Sequence, residues 1–356
     1  MRDRYWLERW DVAVFHQCWT DHSFILAQHF KSIGKKVILS VDDLINGNKI
    51  PKFITQGAPY SEPGMAKNIQ DMMDLADRVV VTQPFLLDQL AHYFEQPKSK
   101  FRVFPNLPPF NWLGRLYNPD KKAAKFKQRN GSLRIGVISS LSHYDMRPNV
   151  KPNDDIEIVV DAAKKLKEMG HNNITIVMPI GDRKEVKGRI EPFAKVETHE
   201  MVPIRDYPIA IDKYDIDLVV VPLVRNDFND SKSNIKLIEC AALGIPVLVS
   251  DSYAYLGFID DKYKFKDAEE LVQRIVDFKG WYEKKYRNEI SANYKKFFEK
   301  PVDYYGIQLN GFWLENNFQL VGDTFLEWNP KPNPDGIVPP EIFMEDSTNG
   351  TQTQIR

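Results

Sequence analysis

Cysteine is nearly missing from this sequence. Its 356 residues hold two, Cys18 and Cys240, each inside an apolar stretch and far from the other. No disulfide framework is expected, and two buried thiols in a reducing compartment fit the pattern. There is no CxxC, no HExxH and no histidine pair at helical spacing in a suitable context, so neither a metal site nor a cofactor is expected. Charge of one sign is missing too: 48 basic residues face 49 acidic ones. A global positive field for nucleic acid or anionic membrane is thereby excluded, though not a local patch. No apolar run approaches the length of a membrane span. Met1 to Trp10 is charged and lacks the apolar segment of a signal peptide, so a cytoplasmic protein is expected.

What is present is apolar material for two cores: 43% hydrophobic residues, 12% of the chain aromatic. Strand and helix patterns alternate along the chain. Asp11 to His16 reads as a strand, Thr20 to Ile33 as a helix closed by Gly34, and Lys36 to Val41 as a strand followed by Asp42-Asp43. A helix over Ala66 to Leu75, a strand over Arg78 to Thr82, a helix from Pro84 and a strand over Phe101 to Phe104 complete a first lobe, residues 1–104. That lobe reads as short, with no strand–helix unit before Asp11.

Residues 105–131 carry four prolines, a lysine run and Asn130-Gly131, and read as an interlobe linker. The alternation restarts over 132–300. Strands are expected at Leu133 to Ile138, Asn173 to Met178, Leu218 to Val221 and Pro246 to Ser250, and helices after Asp154 or Asp155, at Lys232 to Leu243, Ala268 to Phe278 and Trp281 to Phe298. A last helix within 301–328, able to pack back on the first lobe, and a flexible tail over 329–356 close the chain. The fold class is α/β, with two Rossmann-like doubly wound lobes, the first of them short.

Ligands of open parallel sheets bind at the carboxyl ends of the strands. Polar loops stand there: Ser139-Ser140-Leu141-Ser142-His143, Gly181-Asp182-Arg183-Lys184, and 226–233. The helix read over Lys232 to Leu243 is the most informative element. At about 100° per residue, Lys232, Lys236 and Glu239 share an arc of roughly 60°, while Ile235, Ile238 and Ala242 form a separate apolar stripe. Two cations beside the free amides of a helix start suit a diphosphate, and a carboxylate one turn deeper suits paired ribose hydroxyls. The competing reading is a surface helix with ordinary i,i+3 and i,i+4 ion pairs of about 0.2–0.5 kcal/mol each. Against it, lysines at a helix N-terminus oppose the macrodipole unless an anion sits there.

Phe228-Asn229-Asp230-Ser231-Lys232-Ser233 and the run through Lys236, Glu239, Gly244, Pro246 and Val247 resemble the donor-site segment of retaining GT-B glycosyltransferases of the family 1/4 type. The segment is most similar to a bacterial and phage branch with the pattern F-N-x-x-K-S-x-x-K-x-x-E-x-x-x-x-G-x-P-V. Ile135-Gly136 with Ser140 to His143, Val41-Asp42-Asp43-Leu44 and Phe104-Pro105-Asn106 resemble three further segments of that branch, in order.

The resemblance implies an interlobe cleft, a nucleotide sugar as substrate, usually no metal, and retention at the anomeric carbon. It implies a donor site drawn from Ser140, His143, Gly181, Asn229, Lys232, Ser233, Lys236 and Glu239, with Glu239 holding the ribose and the basic residues the diphosphate. The wider family places a second acid eight residues before the ribose glutamate, where this chain has Ser231. On the acceptor side, His16, Asp42 and Asp43 end first-lobe strands and are candidates to orient and polarise an acceptor hydroxyl. A packed histidine and a turn-capping aspartate are the plain alternatives.

The reading is a hexosyltransferase-like enzyme moving sugar from a nucleotide-sugar donor to a hydroxyl of a polysaccharide, protein or modified nucleic acid; self-association is open. The alternatives are a catalytically inactive GT-B-like binding or assembly protein, favoured by Ser231 and the short first lobe, and a nucleotide-sugar epimerase, whose usual acid and histidine set is not evident.

Overall fold

The computed structural model describes residues 9–52, 54, 60, 62–104, 106, 116–129, 131–139, 143–145, 147, 153–203, 205–299, 343–345 and 352–354. Residues 1–308 and 309–356 form separate units. In the second unit, Phe343–Glu345 pairs antiparallel with Gln352–Gln354. The rest of the stretch expected as helix and tail lies outside the described residues.

The first lobe is a parallel sheet of β1 (Val12–His16), β2 (Lys36–Val41), β3 (Arg78–Val81) and β4 (Phe101–Val103), in that spatial order. Its crossover helices are α1 (Asp21–Ser32), α2 (Pro63–Leu75) and α3 (Pro84–Tyr93). Thr20 caps α1 by accepting from the Ser23 amide, and Gly34 turns the chain at φ +79°. Strands laid down in one direction with right-handed crossovers place their helices on one face. Accordingly Ala27 and Phe30 of α1, Met72 and Met73 of α2, and Leu86 and Leu90 of α3 share one core with Phe15, Leu39, Val79 and Phe101. The three described helices of this lobe thus cover one face of its sheet.

The second sheet contains β5 (Leu133–Gly136), β6 (Ile174–Met178), β7 (Lys195–Thr198), β8 (Leu218–Val221), β9 (Val247–Ser250) and β10 (Lys264–Phe265). Their order is β10-β9-β8-β5-β6-β7, all parallel, with the reversal between β5 and β8. The central strand β8 is wholly apolar and buried because both faces are covered, whereas the edge strand β7 carries Lys195, Glu197 and Thr198. Leu218, Val220 and Leu248 face the core of α5 (Glu157–Glu168) and α10 (Ala268–Lys279). Val219, Val221, Val247 and Val249 face that of α7 (Tyr207–Lys213) and α9 (Ile235–Leu243). The lobe's other helices are α4 (Pro119–Gln128), α6 (Lys184–Ile190), α8 (Asp227–Asp230) and α11 (Glu283–Tyr294).

Three sequence expectations are corrected. Residues 105–131 are not all linker. Helix α4 packs into the second lobe, with Ala123 wholly buried and Lys122, 5% exposed, paired with Asp212 at 2.7 Å. Helix α9 begins at Ile235 with Asn234 as its N-cap, not at Lys232, because Ser231 closes the separate helix α8. Asp154 and Asp155 do not cap α5, whose N-cap is Ile156 with no side-chain bond; both carboxylates serve other partners.

Gly136 makes the close approach of β5 to Ile216 possible. A Cβ there would lie 2.7 Å from Ile216 Cδ1. Gly136→Ala is expected to cost about 1–3 kcal/mol, read as a lower urea midpoint. Because Ile216→Val removes the clashing methyl, the double variant should lose less than the sum; full additivity would exclude this contact as the cause.

Candidate active site

The carboxyl ends of both sheets open on one cavity of about 330 Å³. The first lobe contributes Asp42 and Asp43, directly after β2, and Asn106 follows β4. The second contributes Ser139 and His143 after β5, Leu223 after β8, Lys232, Ser233 and Lys236 before and within α9, and Tyr255. The cavity therefore lies over the β5–β8 reversal, where an open α/β sheet binds ligands.

Lys232 Nζ lies 3.0 Å from Asp43 Oδ1 and 4.2 Å from the centre of the Phe228 ring. Asn106 Nδ2 donates to Ser233 Oγ at 2.7 Å, a second tie across the lobes. Lys236 Nζ donates to Glu239 Oε2 at 2.6 Å and to Tyr207 OH at 3.3 Å, and Tyr207 OH donates to the same Glu239 oxygen at 3.2 Å. The i,i+3 pair of the plain surface reading is thus real, but it is not on the surface: Glu239 is only 6% exposed.

Asp155 organises the other wall. Its Oδ1 accepts from the Val224 amide and from Asn229 Nδ2, both at 2.7 Å, and its Oδ2 lies 2.6 Å from His143 Nδ1. A carboxylate partner favours a proton on Nδ1, and in the neutral imidazole that leaves Nε2 as the acceptor. Asp42 is pushed above the ordinary carboxylate range, chiefly by burial and then by Asp43, while His16 and Lys232 pull it back.

Of the residues singled out from sequence, Asp42, Asp43, His143, Lys232, Ser233 and Lys236 line the cavity. Glu239 joins them through Lys236. Asn229 does not face the cavity, since its amide is spent on Asp155 and the Val224 carbonyl. Gly181 is likewise away from the lining, at φ +67° against Glu200. His16 is exposed and pairs with Ser40 Oγ at 3.2 Å, so the buried-histidine alternative does not hold, and it too is outside the lining. Ser140 lies outside the described residues. Ser231, at the position of the family's second acid, is wholly buried behind α8. Sequence reasoning missed Tyr207, Asn106 and Asp155 as parts of the site. Asn106 belongs to the family-like run Phe104-Pro105-Asn106, whereas Tyr207 had no signal beyond its place before Pro208.

Two Rossmann-like lobes with a cleft at the carboxyl ends of both sheets define the GT-B fold of glycosyltransferases. No protein-family model and no curated protein matches the sequence. Among solved structures, the fold is shared with Anabaena HepE in complex with UDP, at 13% identity and a TM-score of 0.52 over 83% of this chain and 77% of that one. It is also shared with a UDP-forming α,α-trehalose-phosphate synthase from Burkholderia xenovorans, at 12% identity and a TM-score of 0.51 over 80% of this chain and 70% of that one. No helix among the described residues is long and apolar enough to cross a membrane.

Proposed function

We propose that this chain is a glycosyltransferase that moves a sugar from a nucleotide-sugar donor to a hydroxyl acceptor, with retention at the anomeric carbon and without a metal ion. The observation that carries the reading is the meeting of Lys232, Ser233 and Lys236 over the β5–β8 reversal, with Glu239 beside Lys236. The two ammonium groups and the amides at the start of α9 hold the diphosphate and offset the charge it gains as it leaves. Glu239 accepts from the ribose hydroxyls. His143 presents Nε2 toward the sugar, its other nitrogen being fixed by Asp155. Asp42 and Asp43 approach from the first lobe, where an acceptor hydroxyl enters. HepE has been crystallised with UDP-glucose as well as with UDP, which makes uridine diphosphate sugars the first donors to try.

A thermal melt tests the site. UDP, GDP, ADP, CDP or TDP at about a hundred times its Kd stabilises the folded form by about 2.7 kcal/mol, and Glu239→Ala removes most of the shift. Transfer is read by incubation with the matching nucleotide sugar in EDTA, with the product anomer assigned by NMR. Silence of the wild type toward all five diphosphates would overturn the donor site. Binding without transfer or hydrolysis would favour the second reading, a GT-B-like binding protein, which the buried Ser231 supports.

A further inference from the structure

We propose that Tyr207 is a positioning residue that sets the orientation of the Glu239 carboxylate and with it the preference for ribo- over 2′-deoxyribonucleotides. The inference rests on the reading of Glu239 as the group that grips the donor ribose.

Among the described residues, two hydrogen bonds to Glu239 converge on Oε2, from Lys236 Nζ at 2.6 Å and from Tyr207 OH at 3.2 Å. The two donors come from different elements. Lys236 stands one turn before Glu239 on α9, and Tyr207 begins α7, whose core face packs with α9. A carboxylate held at one oxygen from two directions cannot turn about its terminal bond, so Oε1 keeps one fixed heading. Vicinal hydroxyls are recognised by that heading.

Tyr207 also accepts from Lys236 at 3.3 Å, and its ring centre lies 5.2 Å from the ammonium. The lysine that faces the diphosphate and the acid assigned to the ribose are therefore registered against one phenol. Burial first, then the Glu239 charge, push the phenol's pKa well above its ordinary value, so it remains a donor throughout the working pH range. Without the hydroxyl, Lys236 is the one described donor left on Oε2, and a flexible ammonium fixes no plane.

The experiment measures Kd for the tightest-binding member of UDP, GDP, ADP and CDP and for its 2′-deoxy counterpart, on the whole chain. Wild type should prefer the ribo form by about tenfold. Tyr207→Phe keeps the ring and its packing; it should cut the preference to about twofold and leave the Kd of the deoxy form nearly unchanged. Glu239→Ala should abolish the preference. Equal weakening of both nucleotides by Tyr207→Phe, or no change, overturns the role of Tyr207 while leaving Glu239 in place. An undiminished preference in Glu239→Ala removes the ribose reading itself, and the inference with it, as does a wild type that binds none of the four.

Discussion

Phe228→Ala is expected to destabilise the protein by about 3–5 kcal/mol, the range for emptying a buried aromatic site. The ring belongs to the second lobe in sequence and to the first lobe in space. It is 5% exposed and packs in the core formed by α1, α2 and α3 on the first sheet. Polar contacts surround it. Gln83 Nε2 donates to the Asp230 carbonyl and Tyr93 OH to Asp227 Oδ2, both at 2.8 Å. Lys49 Nζ lies 3.2 Å from Asp227, and Phe85 stacks on Tyr253 at 4.6 Å. Helix α8 is therefore held from both sides, since Asn229 ties it back to Asp155 at 2.7 Å.

The consequence reaches the site, because Lys232 follows Phe228 by one turn of chain and its ammonium rests on that ring. Urea unfolding followed by tryptophan fluorescence should show the loss, and the nucleoside diphosphate melt shift should shrink in the same variant. Phe228→Leu, which refills most of the volume, should recover more than half of both. A loss below about 0.5 kcal/mol, the scale of a surface substitution, would mean that the ring is not part of the first lobe's core.

How far the sequence foretold this arrangement varies with the kind of signal. Strand β8 stood out because burial on both faces makes Leu218–Val221 an unbroken apolar run, whereas the two-residue edge strand β10, Lys264–Phe265, left no such signal. Gly244 stood out because a left-handed cap at φ +65° selects glycine. Lys236 and Glu239 share a helix, so their angular spacing was sound. Lys232 reaches the cavity from an irregular turn, and its place on the calculated arc was a coincidence of spacing. No local pattern separates Ser231-Lys232-Ser233 from the helix that follows, since serine and lysine are tolerated in both settings.

Contacts between distant segments were invisible. The lysine-rich run 121–127 read as part of a linker, yet Lys122 and Lys125 pair with Asp212 and Asp215, some ninety residues away. Asp155 looked like a helix cap, but His143 from one stretch and Val224 and Asn229 from another converge on it. Tyr207 is the same case: its value lies in where α7 meets α9, and neither element carries that information alone.

Opposite charge changes at the interlobe ion pair are expected to move donor binding in opposite directions. Lys232 Nζ is 3.0 Å from Asp43 Oδ1, with side chains 18% and 43% exposed. If the diphosphate takes the lysine, it must displace the aspartate. The exchange replaces a partly solvated pair, worth about 0–1 kcal/mol, by charge-assisted bonds to phosphate oxygens of about 1.5–3 kcal/mol. Lys232→Met should therefore weaken nucleoside diphosphate binding by about ten- to a hundredfold.

Asp43→Asn removes the competitor and its repulsion of the phosphates, and should strengthen binding about two- to fivefold at low salt, fading as screening rises. The same variant should lower transfer if Asp43 polarises the acceptor, so tighter donor binding with slower turnover is the expected signature. Isothermal titration at two salt concentrations, beside single-turnover transfer, separates the two effects. Weaker nucleotide binding by Asp43→Asn would show instead that the pair holds Lys232 in place for the donor. Lys232 would then be a residue the first lobe positions, and the order of events in the cleft would begin with lobe contact rather than with its exchange.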